Sequence, residues 1–348
     1  MDLGNRVNLH RRKWRDYSDE EIESKVRFLV ESGGDKESIV GYFIMDEPHV
    51  LDFPNLGKAV AAVKKYAPGK LAYINLFPNY ATLWAEGQTD SQLGTKTYDE
   101  YLERYVTEVK PDFISYDNYQ IQYSMDQKDT ERALSYYTNL LAVRRIALKY
   151  DIPYWIIVSS HQIRNHTTIP SIPNLCLQVY TALAAGFKGI TWYQYNQGGY
   201  SYSPISKEGD RTLSWFYLRE VNRQILSIGP LIRELTSTGV YFTSPFLNYD
   251  FPTLPGQIIE SVHCDAPLMV GEFINKKGDK YAMLVNVNLD RSIRFTFSTR
   301  TGIETPSLVV PSANDKEPYV ALLKKRDMNN HKNDYWLTAG EGILIKFE

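Results

Sequence analysis

Between residues 18 and 195 one pattern recurs five times: an amphipathic helical stretch, a break, then a short apolar run. Ser18 and Glu21 form a capping box before the first helix, which stops at Gly33-Gly34 and hands over to "IVGYFIM". Leu56, Ala59, Val60 and Val63 fall at helical spacing, Pro68-Gly69 breaks that helix, and "LAYINL" follows. Thr97 and Glu100 make a second capping box before a helix that carries Tyr101, Tyr105 and Val109 on one face and leads to "DFISYDNY". A helix near 131–150 precedes "YWIIVSS", and one near 174–185, ended by Gly186, precedes "GITWYQY". Near-continuous apolar strands alternating with amphipathic helices predict an α/β fold, a parallel sheet covered by helices.

In such folds the polar residues at the C-terminal strand ends carry function. In chain order those ends are Asp46-Glu47, Asn75, Asp117-Asn118-Tyr119, Ser159-Ser160-His161 and Tyr193-Gln194-Tyr195-Asn196. After about residue 232 the pattern becomes alternating strands. "GEFINKKGDKYAMLVNVN" reads as a hairpin turning at Lys277-Gly278-Asp279, with Tyr281, Met283, Val285 and Val287 facing inward. The expected division is therefore a (β/α) domain over 1–235 and an all-β sandwich over 236–348, the second most simply a structural cap.

Glu47 ends an apolar strand beside a second acid, where desolvation and a like charge raise one pKa, as a proton donor at neutral pH requires. Glycoside hydrolysis uses such an acid with a second carboxylate, for which Asp117 is the natural candidate. The plainer roles are a helix cap or an ion pair for Asp46 and Glu47, and orientation of Tyr119 for Asp117. Asn75, Tyr119, His161, Trp192, Tyr193, Tyr195 and Asn196 are the candidate substrate-binding residues, although alternation must turn some of the aromatics inward. Ser159 and Ser160 lack a nucleophile elbow, and Glu208 lies in a polar loop with the look of a tight turn.

Composition narrows the alternatives. A formal net charge of -2 gives no electrostatic reason to expect nucleic acid as partner. No apolar run approaches the roughly 18 residues of a membrane span. Two cysteines and six scattered histidines make neither a disulfide framework nor a metal-ligand pattern, so no metal and no cofactor are expected. The 26 tyrosines suit a ligand with flat apolar faces, sugars among them, and equally a core. Met1 is followed by no apolar signal region.

"GYFIMDEP", "GITWYQY", "EGDRTLSWFYLREVNRQILSIGPLI" and the closing "LTAGEGILIKF" together resemble bacterial glycoside hydrolases built on a (β/α)8 (TIM) barrel, in the broad retaining clan that includes β-galactosidases. The resemblance implies an enzyme acting on an oligosaccharide or polysaccharide, secreted or periplasmic, with Glu47 as acid/base at the end of the fourth barrel strand. Asp46 then stands where that clan has an asparagine. Two departures accompany it. The strand that should end in the nucleophilic glutamate reads "IIVSSHQ", and only about 40 residues precede Glu47's strand where three βα units belong. The expectation is thus an N-terminally incomplete barrel, open or completed by a partner chain or self-association. Two alternatives follow: a non-catalytic carbohydrate-binding remnant, or substrate-assisted hydrolysis of the hexosaminidase kind using the Asp46-Glu47 pair. A lyase is more distant, with no strand-end lysine to support it.

Overall fold

The structure is a computed structural model and describes residues 13–33, 37–88, 90–123, 130–243, 246–303, 306–311, 320–324 and 334–347. Its helices are α1 (Asp19–Ser32), α2 (Phe53–Tyr66), α3 (Tyr98–Arg104), α4 (Gln120–Tyr123), α5 (Thr130–Lys149), α6 (Ile172–Ala184) and α7 (Leu213–Glu234). The α/β part carries strands β1 (Gly41–Asp46), β2 (Leu71–Asn75), β3 (Ile114–Asp117), β4 (Tyr154–Ser159) and β5 (Gly189–Tyr193). The C-terminal part carries β6 (Thr236–Phe242), β7 (Ile259–Cys264), β8 (Leu268–Ile274), β9 (Lys280–Asn286) and β10 (Ile293–Thr299). It ends with β11 (Pro306–Pro311), β12 (Val320–Lys324), β13 (Asp334–Leu337) and β14 (Gly342–Phe347). No described helix is long and apolar enough to cross a membrane.

The chain divides into two compact units, Met1–Asn118 with Leu141–Ile156, and Tyr119–Leu140 with Ile157–Glu348. In the first, the expected caps form. The Ser18 hydroxyl accepts the Glu21 N–H while Glu21 Oε2 accepts the Ser18 N–H at 2.7 Å, so two of the donors at the start of α1 are satisfied reciprocally. Ile22, Val26 and Val30 recur every fourth residue and form its buried face. At α3 only half of the box closes: Thr97 accepts from Glu100 N–H at 3.1 Å, but the Glu100 carboxylate turns to Lys96 N–H. Tyr105–Val109 continue α3 as a π-turn, which keeps Tyr101, Tyr105 and Val109 all buried.

Strands β1 and β2 pair in parallel with Asp46 opposite Asn75. The Leu76 N–H bonds Ser115 O at 2.8 Å, and Ile114 N–H bonds Pro153 O at 3.0 Å, so β2, β3 and the start of β4 follow on. That register delivers Asp46, Glu47, Asn75 and Asp117 to one end.

In the second unit, six strands form an antiparallel sheet in the order β12-β11-β14-β9-β8-β6, and β13-β10-β7 form another. The two sheets share one core, with Leu268, Val270, Ala282, Leu284 and Ile345 from the first and Ile259, Phe295, Phe297, Tyr335 and Leu337 from the second. The β8–β9 hairpin is present, but the inward side differs from expectation. Ala282 and Leu284 face the shared core. Met283 is paired with Gly271, on the face that α6 covers. That face is closed as tightly as the other, because a Cβ on Gly271 would stand 2.0 Å from Ala184 O. All of α6 from Asn174 to Ala184 is buried.

The compact units therefore do not divide at residue 235. Helices α6 and α7 pack with the C-terminal strands, and Lys188 Nζ, which donates to the carbonyls of Ile232 and Leu235, ties β5 to the end of α7. Burial brings the Lys188 pKa down to about 8.

Candidate active site

Glu47 follows directly on β1 and has φ +46°, in the left-handed region that side chains with a Cβ seldom adopt. Its N–H is held by Asn75 O at 2.8 Å, and the next carbonyl, Pro48 O, accepts the buried Tyr101 hydroxyl at 2.7 Å. The turn is thereby clamped in a backbone conformation that costs energy. The Glu47 carboxyl is half-buried. Burial first, then the charges of Asp117 and Asp46, push its pKa up to about 8.

The neighbours are tied together by one amide. Asn75, 2% exposed, donates from Nδ2 to Asp46 Oδ1 at 3.0 Å and to Asp117 Oδ1 at 3.0 Å. Its Oδ1 accepts from Ser115 Oγ at 3.2 Å, and that hydroxyl lies 3.0 Å from the Tyr73 hydroxyl. Asp117 is 7% exposed, whereas Asp46 faces solvent.

Glu47 lines a cleft of about 600 Å³ together with His49, Phe77, Trp84, Gln88, Asp90 and Gln92, and with Lys13 and Arg15 from the N-terminal segment. That volume suits a ligand of drug size. The Arg15 guanidinium is committed to Asp52, Nε to Oδ1 at 3.0 Å and Nη2 to Oδ2 at 2.8 Å, so it shapes the wall as part of a pair. Burial, and then the nearby Arg15 charge, lower the His49 pKa. Its ring lies against Gly94, where φ is +75° and a Cβ would come within 2.4 Å of the imidazole. The far wall comes from described residues of the connection from β2 to α3, which are held by hydrogen bonds. The Thr82 N–H is taken by Gln92 Oε1 at 3.0 Å, Trp84 N–H by Thr95 O at 2.8 Å, and Val50 N–H by Leu93 O at 3.1 Å. Trp84 remains 40% exposed.

The sequence reasoning missed this wall. Its one available signal was length, since a connection of some 20 residues between a strand and a helix is unusual unless it has a task.

The second unit gathers the remaining candidates differently. His161, 1% exposed, has its ring centroid 5.5 Å from Tyr193 and 4.2 Å from Tyr200, and Tyr193 lies 5.7 Å from Tyr119. Its Nδ1 accepts the Gln194 N–H at 2.8 Å. Tyr193 O is equally near at 2.8 Å, and in the other tautomer Nδ1 carries the proton and donates to it. Burial lowers the His161 pKa, and Nε2 has no hydrogen-bond partner among the described residues. Ser159 is engaged in structure: Gln178 brackets its N–H and C=O at 3.0 Å each.

Trp192 turns the other way and donates its indole N–H to Asn222 Oδ1 on α7 at 2.8 Å. Tyr195 accepts from Trp215 Nε1 at 3.2 Å, and Asn196 bridges to Ile205 within its own loop. Glu208 is exposed in a turn closed by Gly209 N–H on Ser206 O. Among the described residues no three His, Cys, Asp or Glu side chains are grouped as a metal ion would need.

No protein-family model matches the chain, and no curated protein is similar to it in sequence. Its fold is similar to that of solved glycoside hydrolases. A catalytic mutant of a GH42 β-galactosidase from G. stearothermophilus aligns at TM-score 0.53 and 6% identity, over 94% of this chain and 68% of that one. A family 5 glycoside hydrolase from Bacteroides vulgatus ATCC 8482 aligns at TM-score 0.50 and 12% identity, over 95% and 66%. The chain spans 30% of a β-galactosidase from the psychrophilic Marinomonas ef1, at a TM-score of 0.39 too low to bear on the fold. At these identities the likeness is one of fold, and the structures it is similar to are (β/α)8-barrel glycoside hydrolases.

Proposed function

We propose that this chain hydrolyses a glycosidic bond, with Glu47 as general acid/base. The observation that carries the reading is a half-buried carboxyl with its pKa near 8, at the edge of a cleft walled by Trp84 and Phe77. Such an acid is protonated at neutral pH and can give its proton to the glycosidic oxygen as the C–O bond breaks. The resulting carboxylate then takes a proton from the attacking water. Asp117 is the second carboxylate of the pair, stabilising positive charge at the anomeric carbon or attacking it.

The cleft suits two sugar rings better than one, since about 600 Å³ matches a ligand of drug size, as two linked pyranoses are. An oligosaccharide is therefore the substrate class, with Trp84 as a stacking platform. A substrate-assisted variant is favoured by one observation. Asp46 is exposed yet pinned by Asn75, the disposition needed to orient a group on the sugar instead of attacking it. On this reading the first unit is the catalytic part of a barrel, and the two C-terminal sheets form a sandwich.

Glu47→Gln is the test. Hydrolysis of an unactivated oligosaccharide should fall by about 10²-fold or more. Dinitrophenyl glycosides, whose leaving group needs no proton, should lose less. In the unsubstituted protein, activity should decline as pH rises through about 8, as Glu47 loses its proton. Equal turnover by the variant on both substrate types would remove Glu47 from the mechanism.

A further inference from the structure

Three carboxyl groups stand at the ends of β1 and β3, the strands on either side of β2, and Asn75 at the end of β2 touches the residue that carries each of them. Its Nδ2 donates to Asp46 and to Asp117, both at 3.0 Å, while its backbone carbonyl holds the Glu47 N–H at 2.8 Å. The orientation of the amide is settled by chemistry. Carboxylate oxygens accept, so the NH2 end must face them, and the Ser115 hydroxyl donates to Oδ1 on the other side. Both N–H bonds of a side chain only 2% exposed are thereby spent on two acids.

We infer that Asn75 is a positioning residue that allocates the proton of this trio: by donating to Asp46 and Asp117 alone, it keeps those two as the anions and leaves Glu47 as the acid. A hydrogen bond to a carboxylate favours its ionised form. Two anions fixed in this way act together with burial on Glu47, whose pKa is raised by desolvation, Asp117 and Asp46 in that order. Without the amide, Asp117, the more buried of the two aspartates, becomes the competing site for the proton. Among the other titratable groups around the trio, Tyr73 is on Asn75's own strand, Tyr116 on β3, Tyr98 and Tyr101 on α3, and His49 follows β1. Tyr101 is held neutral by burial, and burial also disfavours the imidazolium of His49.

The inference rests on the reading of Glu47 as general acid and changes the role expected of Asn75 from touching substrate to governing the acids. It also gives the Tyr73–Ser115 pair a task, because that pair holds the amide's oxygen and stops the group from rotating.

The experiment is a carboxyl ¹³C NMR titration of the glutamate-labelled and aspartate-labelled protein, with the Glu47 resonance assigned by its loss in Glu47→Gln. It needs no substrate. Asn75→Ala should move the Glu47 midpoint down by about one pH unit, a tenfold change in proton affinity, with an aspartate midpoint rising in return. Ser115→Ala, which frees the amide without removing it, should move both in the same directions by less. It carries the test if Asn75→Ala does not fold. An unmoved Glu47 midpoint in a folded variant overturns the inference. So does a variant whose only change is a higher KM, since that is the signature of a substrate contact. If the midpoints shift but no glycoside is turned over, the allocation of the proton stands and the hydrolase reading falls.

Discussion

Replacing Glu47 with glutamine should make the protein more stable in mildly alkaline solution while leaving it nearly unchanged in acid. The reason is linkage. The carboxyl titrates near 4.5 in an unfolded chain and near 8 in the folded protein. A group with a raised folded pKa contributes stability that is fully present below the unfolded value and is lost as pH climbs through the folded one. At about 1.4 kcal/mol per pH unit, the loss is under about 1 kcal/mol at pH 5, about 3 at pH 7 and nearly 5 at pH 8.5. Glutamine keeps the shape and has no proton to lose, so it escapes this cost. The side chain is half-buried, and the solvent it meets trims the effect, leaving about 2–4 kcal/mol between pH 5 and pH 8.5. Urea unfolding of both proteins at the two pH values measures the difference directly. A variant whose advantage does not grow with pH, or which is the less stable at pH 8.5, would refute the assignment of a buried, proton-holding acid. The expected result would also mean that the residue proposed for chemistry is held at the expense of the fold.

Two further outcomes are expected. Trp84→Ala should raise KM for an oligosaccharide by about tenfold, the worth of one stacked ring, and leave a small aryl glycoside unaffected; equal effects on both would remove the platform. Gly271→Ala should destabilise the protein by about 3 kcal/mol or more, since its Cβ would be forced onto Ala184 O, and an unchanged melting temperature would show that α6 can move away.

The sequence told most where the signal was local. Ser18 with Glu21, and the recurrence of Ile22, Val26 and Val30 at every fourth position, announce α1 without any knowledge of its surroundings. The Asp46-Glu47 pair was legible because adjacency at a strand end is itself the chemistry. Long-range packing was harder to read. Lys13 and Arg15 reach the cleft from a turn some 30 residues before Glu47, and nothing in their neighbourhood says so. Met283 was placed on the core side by alternation, which is correct for a sheet buried on one face only. Here α6 covers the second face, so alternation no longer distinguishes inside from outside. Trp192 shows the reverse case: period two correctly required some of the aromatics to turn inward but could not say which, and its bond to Asn222 supplies the answer.

The enclosure of α6 also has a consequence for synthesis. This helix leaves the ribosome with Leu175, Leu177, Val179 and Leu183 ready for burial, yet β14, one of the strands it packs against, lies roughly 160 residues further on. At about 5–20 residues per second, that interval lasts on the order of ten to thirty seconds. The other covers come sooner, α7 first and then β8 and β9, so the apolar helix is most exposed early in that interval and β14 completes its enclosure. The packing of α6 is thus completed only after α7, β8, β9 and β14 have all been made, and yield in a cell should depend on how well this segment is shielded in the meantime.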